Sequence, residues 1–198
     1  MARLVDGNRR YVQNVRSLDS MLSHSRRDVE SHRPFAIVLG CSDSRAPAEV
    51  VFDQGLGDLF VIRVAGNIVA PSQVGSVEFA AERFGTRLVV VMGHTNCGAI
   101  DAALEAVERK EGPASRNLMS IVDRVRPSIE SLVLTDLARD PARLRREAVR
   151  ANVRASVNHL RHSSEIIEQL ALHGGLVVVG AELDLVTGEV EFFAGASA

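Results

Sequence analysis

The sequence predicts an α/β fold: a central, mostly parallel β-sheet flanked by helices, with a C-terminal helical region and a terminal hairpin. Three observations carry this. Short apolar runs recur without polar alternation, the mark of strands buried on both faces. Segments of helical period lie between them, so successive strands pair in parallel through crossovers. The chain then closes on two extended stretches around a Thr-Gly turn.

Phe35 to Cys41 is the first buried run, preceded by Pro34 and followed by the polar Ser42-Asp43-Ser44. Leu59 to Ala65, Leu88 to Met92 and Leu176 to Ala181 repeat the pattern. Val74, Val77, Ala81 and Phe84 mark a helix before Gly85, and Ile100, Ala103, Leu104 and Val107 another before Gly112-Pro113. Leu118, Ile121, Val122 and Val125 form an amphipathic stripe, expected to break or kink near Pro127. Asp140-Pro141 offers an N-cap and first-turn proline to a long helix carrying Val149, Val153, Val157 and Leu160. Gly174-Gly175 stops the last helix, and Leu183 to Phe193 reads as the hairpin.

Composition narrows the function. A chain of 198 residues with 46% hydrophobic and 24% charged residues suits one domain with a sizeable core. Lys and Arg number 23 against 25 Asp and Glu, a formal charge of −2, so no global field draws the protein to nucleic acid or an anionic membrane. The arginines between Arg139 and Arg161 are interrupted by Glu147 and lack interleaved aromatics, so they read as a solvated helix face. No apolar run approaches the roughly 18 residues of a membrane span. The charged start lacks a secretory pattern, and 2 cysteines are too few for a disulfide framework. The expected compartment is the reducing cytoplasm.

Those two cysteines both sit at ends of buried runs. Cys41 opens Cys41-Ser42-Asp43-Ser44-Arg45, and Gly93-His94-Thr95-Asn96-Cys97-Gly98 follows the third run. In open parallel sheets, ligands gather at the carboxyl ends of strands. His94 and Cys97, three apart across a strand-to-helix turn, can bind one ion, and Cys41 can add a second sulfur. Cys₂His is a three-ligand zinc set with an open fourth position. Calcium and magnesium want oxygen ligands, and iron is less natural here. A disulfide between the cysteines is the competing reading. No G-x-G-x-x-G follows a strand, which disfavours a dinucleotide enzyme.

These segments resemble the β-class carbonic anhydrases, whose signatures read Cys-x-Asp-x-Arg and His-x-x-Cys. The likeness extends through Gly7 to Tyr11, Phe52 to Phe60, Arg63 to Asn67 and Gly75 to Phe79. It implies one domain over residues 1–198, with 1–33 as an N-terminal helical arm. It implies Zn²⁺ on Cys41, His94 and Cys97, with Asp43 and Arg45 as the catalytic dyad, for reversible hydration of CO₂ to bicarbonate and a proton. Hydroxide on the metal attacks CO₂, Asp43 orients it, and Arg45 holds Asp43. Asp43 is a fourth ligand only in a closed state. Phe60, Ala65, Phe79 and Gly98 match the substrate pocket. His32 stands where many members carry a pocket glutamine; otherwise it is a surface histidine ahead of a strand. Val38 replaces the tryptophan of a regulatory bicarbonate pocket, although Arg63 matches. The resemblance further implies a homodimer or tetramer with shared active sites. The alternatives are a carbonyl sulfide or carbon disulfide hydrolase on the same zinc site, and a non-catalytic structural zinc protein.

Overall fold

The computed structural model describes residues 1–17, 32–109, 113 and 115–195. Helix α1 (Ala2–Val12) precedes strand β1 (Ala36–Gly40), and a short helix α2 (Ala48–Val51) leads to β2 (Leu59–Arg63). A 3-10 turn at Ala65–Asn67 is followed by α3 (Pro71–Arg83), β3 (Leu88–His94), α4 (Gly98–Arg109) and α5 (Arg116–Ile129). After two 3-10 turns come α6 (Pro141–Arg161), α7 (Glu165–Leu172), β4 (Val177–Leu183) and β5 (Val190–Ala194). Of the expected N-terminal arm, Ala2–Val12 is helical, and residues 18–31 lie outside the described residues.

The five strands are ordered β2-β1-β3-β4-β5, parallel except for β5, which pairs antiparallel with β4 as the terminal hairpin. All five residues of β1 are buried, as its unbroken apolar run requires. Alternate residues face opposite layers. Ile37 and Leu39 pack with Val89, Val91 and Val178 beneath α3 and α6, while Ala36 and Val38 join Val90, Met92, Leu4 and Phe52 on the α1 side. A third cluster gathers α4, α5 and the start of α6 around Cys41 and Cys97.

The helix of the Leu118 stripe is not broken at Pro127; it runs on to Ile129. Pro127 lies in the last turn, so its missing N–H removes a single helical bond, and the fully buried Val125 and Ile129 hold the turn against the core. The Asp140 cap is as expected, its carboxylate accepting from the Arg143 N–H at 3.1 Å. Among the described residues, no helix is long and apolar enough to cross a membrane.

Strand order decides where a ligand can sit. From β1 the chain moves outward to β2, then returns past β1 to place β3 on its other side. The connections that leave β1 and β3 run to opposite sides, toward β2 and β4, leaving a crevice beyond the carboxyl ends of β1 and β3. Cys41 directly follows β1, and His94 ends β3.

Candidate metal centre

Into that crevice the fold brings Cys41, His94 and Cys97, all buried, with their ligand atoms within 4.8 Å of one another. The two sulfurs are 4.0 Å apart and free. That is about twice the ~2.05 Å of a disulfide bond, which removes the competing reading. Asn96, with φ of 54°, turns the chain between β3 and α4 so that Cys97 faces back toward His94.

His94 Nδ1 lies 2.9 Å from the Thr95 carbonyl oxygen. That oxygen can only accept, so Nδ1 carries the proton and Nε2 the lone pair. Nε2 is buried without a hydrogen-bond partner among the described residues. The thiols are equally uneven. Cys41 is held below the usual thiol range, first by the hydrogen bond from Cys97, with backbone N–H groups adding to it against the opposing effect of burial. Cys97 is pushed up, because it keeps the shared proton and is itself buried. A metal cation suits this set: it replaces the proton between the sulfurs and takes the orphaned imidazole lone pair.

Asp43 and Arg45 stand at the rim. Arg45 donates from Nε to Asp43 Oδ1 at 2.9 Å and from Nη2 to Oδ2 at 2.6 Å, and its backbone N–H also reaches Oδ1 at 2.9 Å. This fork holds the Asp43 carboxyl well below the usual carboxylate range. Asp43 Oδ2 lies 3.9 Å from His94 Nε2, so the carboxylate is beside the ligands while both its oxygens belong to Arg45. Arg45 Nη2 also donates to the Asn96 carbonyl at 3.2 Å, tying the two signature segments together.

The expected pocket residues divide. Ala65 is half-buried in the turn beside Gly66, and Gly98 is exposed at the start of α4, next to Cys97. Phe60, Phe79 and His32 gather elsewhere, around Phe84. The His32 ring meets Phe84 edge-on at 4.4 Å, and Phe79 meets Phe84 at 5.5 Å. This cluster sits on edge strand β2 and α3, apart from the packing cluster that holds the cysteines.

Arg63, named above as a match to the regulatory bicarbonate pocket, and the Gly66 N–H both contribute here in ways the motif reading missed. Arg63 donates from Nε to the Cys41 carbonyl at 3.0 Å and from Nη2 to the Asp43 carbonyl at 2.5 Å, fixing the backbone that carries both side chains. The Gly66 N–H donates to Cys41 Sγ at 3.4 Å. Arg63 lies within a matched segment, but nothing local shows that its target is backbone.

The family model for carbonic anhydrase matches residues 36–190, which span every strand-end segment described above. The chain belongs to the carbonic anhydrase family. A carbonic anhydrase of Mycolicibacterium smegmatis is 38% identical over 190 residues, covering 95% of this chain and 89% of that protein. The solved β-carbonic anhydrase CcaA is 26% identical with a TM-score of 0.70, covering 100% of this chain and 92% of its own. One of two tetrameric β-carbonic anhydrases from Sordaria macrospora shares the fold at a TM-score of 0.74 and 24% identity, covering 85% of this chain and 84% of that one. This carbonic anhydrase is thus a β-class enzyme, and the general reaction of its family is hydration of CO₂.

Proposed function

We propose that this carbonic anhydrase is a zinc enzyme that hydrates CO₂ to bicarbonate and a proton, with Cys41, His94 and Cys97 holding the metal. The observation that carries the reading is the buried Cys₂His set within 4.8 Å, beside a carboxylate clamped by arginine. Bound there, zinc would supply Lewis acidity that lowers the pKa of water toward neutrality.

The chain's own residues direct it. Asp43, kept ionised by Arg45, accepts a hydrogen bond from the nucleophile's O–H and so turns a lone pair toward the substrate carbon. Asp43 accepts rather than donates, because Arg45 holds it below the range where it would carry a proton. Arg63 prevents the Cys41 and Asp43 backbone from drifting apart.

CO₂ is small, linear and apolar, and needs a dry wall more than polar contacts. Ala65 and Gly98 supply small surfaces next to the ligands. Phe60, Phe79 and His32 form an aromatic wall on edge strand β2, with Phe79 53% exposed. A second copy of the chain docked along this edge completes the pocket, and the tetrameric Sordaria relative supports a homo-oligomer. Ligation through free thiols suits a reducing cytoplasm.

The test is metal content together with stopped-flow CO₂ hydration. One zinc per chain is expected, with zinc and activity both lost in Cys41→Ser and in Cys97→Ser. Full zinc occupancy in Cys41→Ser would overturn the ligand set, and a zinc-replete protein inactive at pH 8.5 would overturn the reaction. Sulfide release from carbonyl sulfide or carbon disulfide, faster than CO₂ hydration, would reassign the substrate.

A further inference from the structure

We propose that Asn152, on α6, is a positioning residue for the metal centre, acting on Cys41 through the turn at Gly66. The inference rests on the reading that Cys41, His94 and Cys97 hold zinc. Asn152 Nδ2 donates to the Gly66 carbonyl at 2.9 Å, and Ser156 Oγ, one helical turn on, donates to the next carbonyl, Asn67 O, at 3.3 Å. Both side chains are buried, at 2% and 6% exposure. Tethered at two successive carbonyls, the turn holds the Gly66 N–H aimed at Cys41 Sγ.

Asn67 adopts a φ of 43°, the left-handed conformation that asparagine takes up more readily than other non-glycine residues, and the two tethers hold the turn there. A buried amide packed among Val149 and Val153 is costly unless its hydrogen-bonding groups are used. Here the Asn152 donor is spent on the turn that contacts a metal ligand. Val149 and Val153 on the same helix pack against β3 at Gly93, directly before His94. Helix α6 therefore sets two ligands at once, His94 by packing and Cys41 by hydrogen bonding. An N–H donated to a thiolate draws charge from sulfur and fixes its direction, and groups that orient ligands in this way commonly change metal affinity by about 10–100-fold.

The experiment compares Asn152→Leu with Val157→Ala, which leaves a cavity in the same helix but touches no ligand-bearing turn. Two readouts are taken on folded protein: the rate of zinc loss to a chelator, and the thiolate-to-cobalt charge-transfer band after cobalt substitution. Asn152→Leu is expected to release zinc about 10–100-fold faster and to shift the band, while Val157→Ala leaves both as in the wild type. Asn152→Ala, which introduces no new group, gives the same result and serves if the leucine variant does not fold. A folded Asn152 variant with the wild-type band and release rate would overturn the proposal, as would a Val157→Ala protein showing the same changes. A wild-type protein that takes up neither zinc nor cobalt would instead overturn the zinc reading on which it rests.

Discussion

Replacing Gly93 with alanine tests how tightly α6 is seated on the sheet beside His94, a proposed metal ligand. A Cβ at this position would lie 2.7 Å from Val153 Cγ2 and 3.0 Å from Val149 Cγ1, closer than a methyl group can sit without displacement. Both valines are buried and β-branched on a helix, where they hold nearly a single rotamer, so neither can swing aside. The methyl is accommodated only if α6 lifts from β3. Overpacking of this kind costs about 1–3 kcal/mol. At about 2–4 °C per kcal/mol for a chain of this length, melting falls by about 2–12 °C. Urea unfolding followed by circular dichroism at fixed protein concentration measures the loss. Val153→Ala in the same chain removes the atom in closest contact, so the double variant should be more stable than the two single losses predict, by about 0.5 kcal/mol or more. A Gly93→Ala protein within about 0.5 kcal/mol of wild type, or strictly additive effects, would refute the reasoning.

Two further substitutions probe other parts of the fold. In Gly7→Ala, the new Cβ overlaps the Phe52 carbonyl oxygen, so α1 must leave its seat. Burial of Leu4, about 1.5–3 kcal/mol, is lost with it, as are the Asn8 bonds to the Val51 and Gly188 carbonyls and to the Val190 N–H. Faster hydrogen exchange confined to Ala2–Val12 and its contacts is the expected signal, and unchanged exchange there would count against the packing. In Glu182→Gln, the effect is pH-dependent. Burial raises the Glu182 carboxyl above its ordinary value despite Arg150 and Arg146, so the folded state binds this proton more tightly than the unfolded chain. The wild type therefore loses stability as pH rises from the ordinary carboxylate range through the raised value. The glutamine variant lacks that loss, so its stability relative to wild type should improve between pH 4 and pH 7. A relative stability that worsens over that interval would show the arginines winning over burial.

The features legible in the sequence are those whose cause is local. A strand buried on both faces must be apolar throughout, so β1, β3 and β4 announce themselves, and a His-x-x-Cys turn between strand and helix carries its geometry in its spacing. A break at Pro127 does not occur because the proline lies in the last turn, where little helix remains beyond it. The aromatic group of Phe60, Phe79, Phe84 and His32 depends on strand order, which places β2 at an edge and α3 across it. Asn152 is the least legible of all. It bonds the Gly66 carbonyl from 86 residues away, and in the helical period it is only a polar residue next to Val153. Motifs record which atoms meet the metal, because chemistry restricts those residue types; the groups that aim those atoms need only a hydrogen bond of the right reach, which many residues can make from many places. On the proposed reading, the support of this centre lies in the two tethers that Asn152 and Ser156 make from α6, and removing them should disturb the metal site without touching a signature residue.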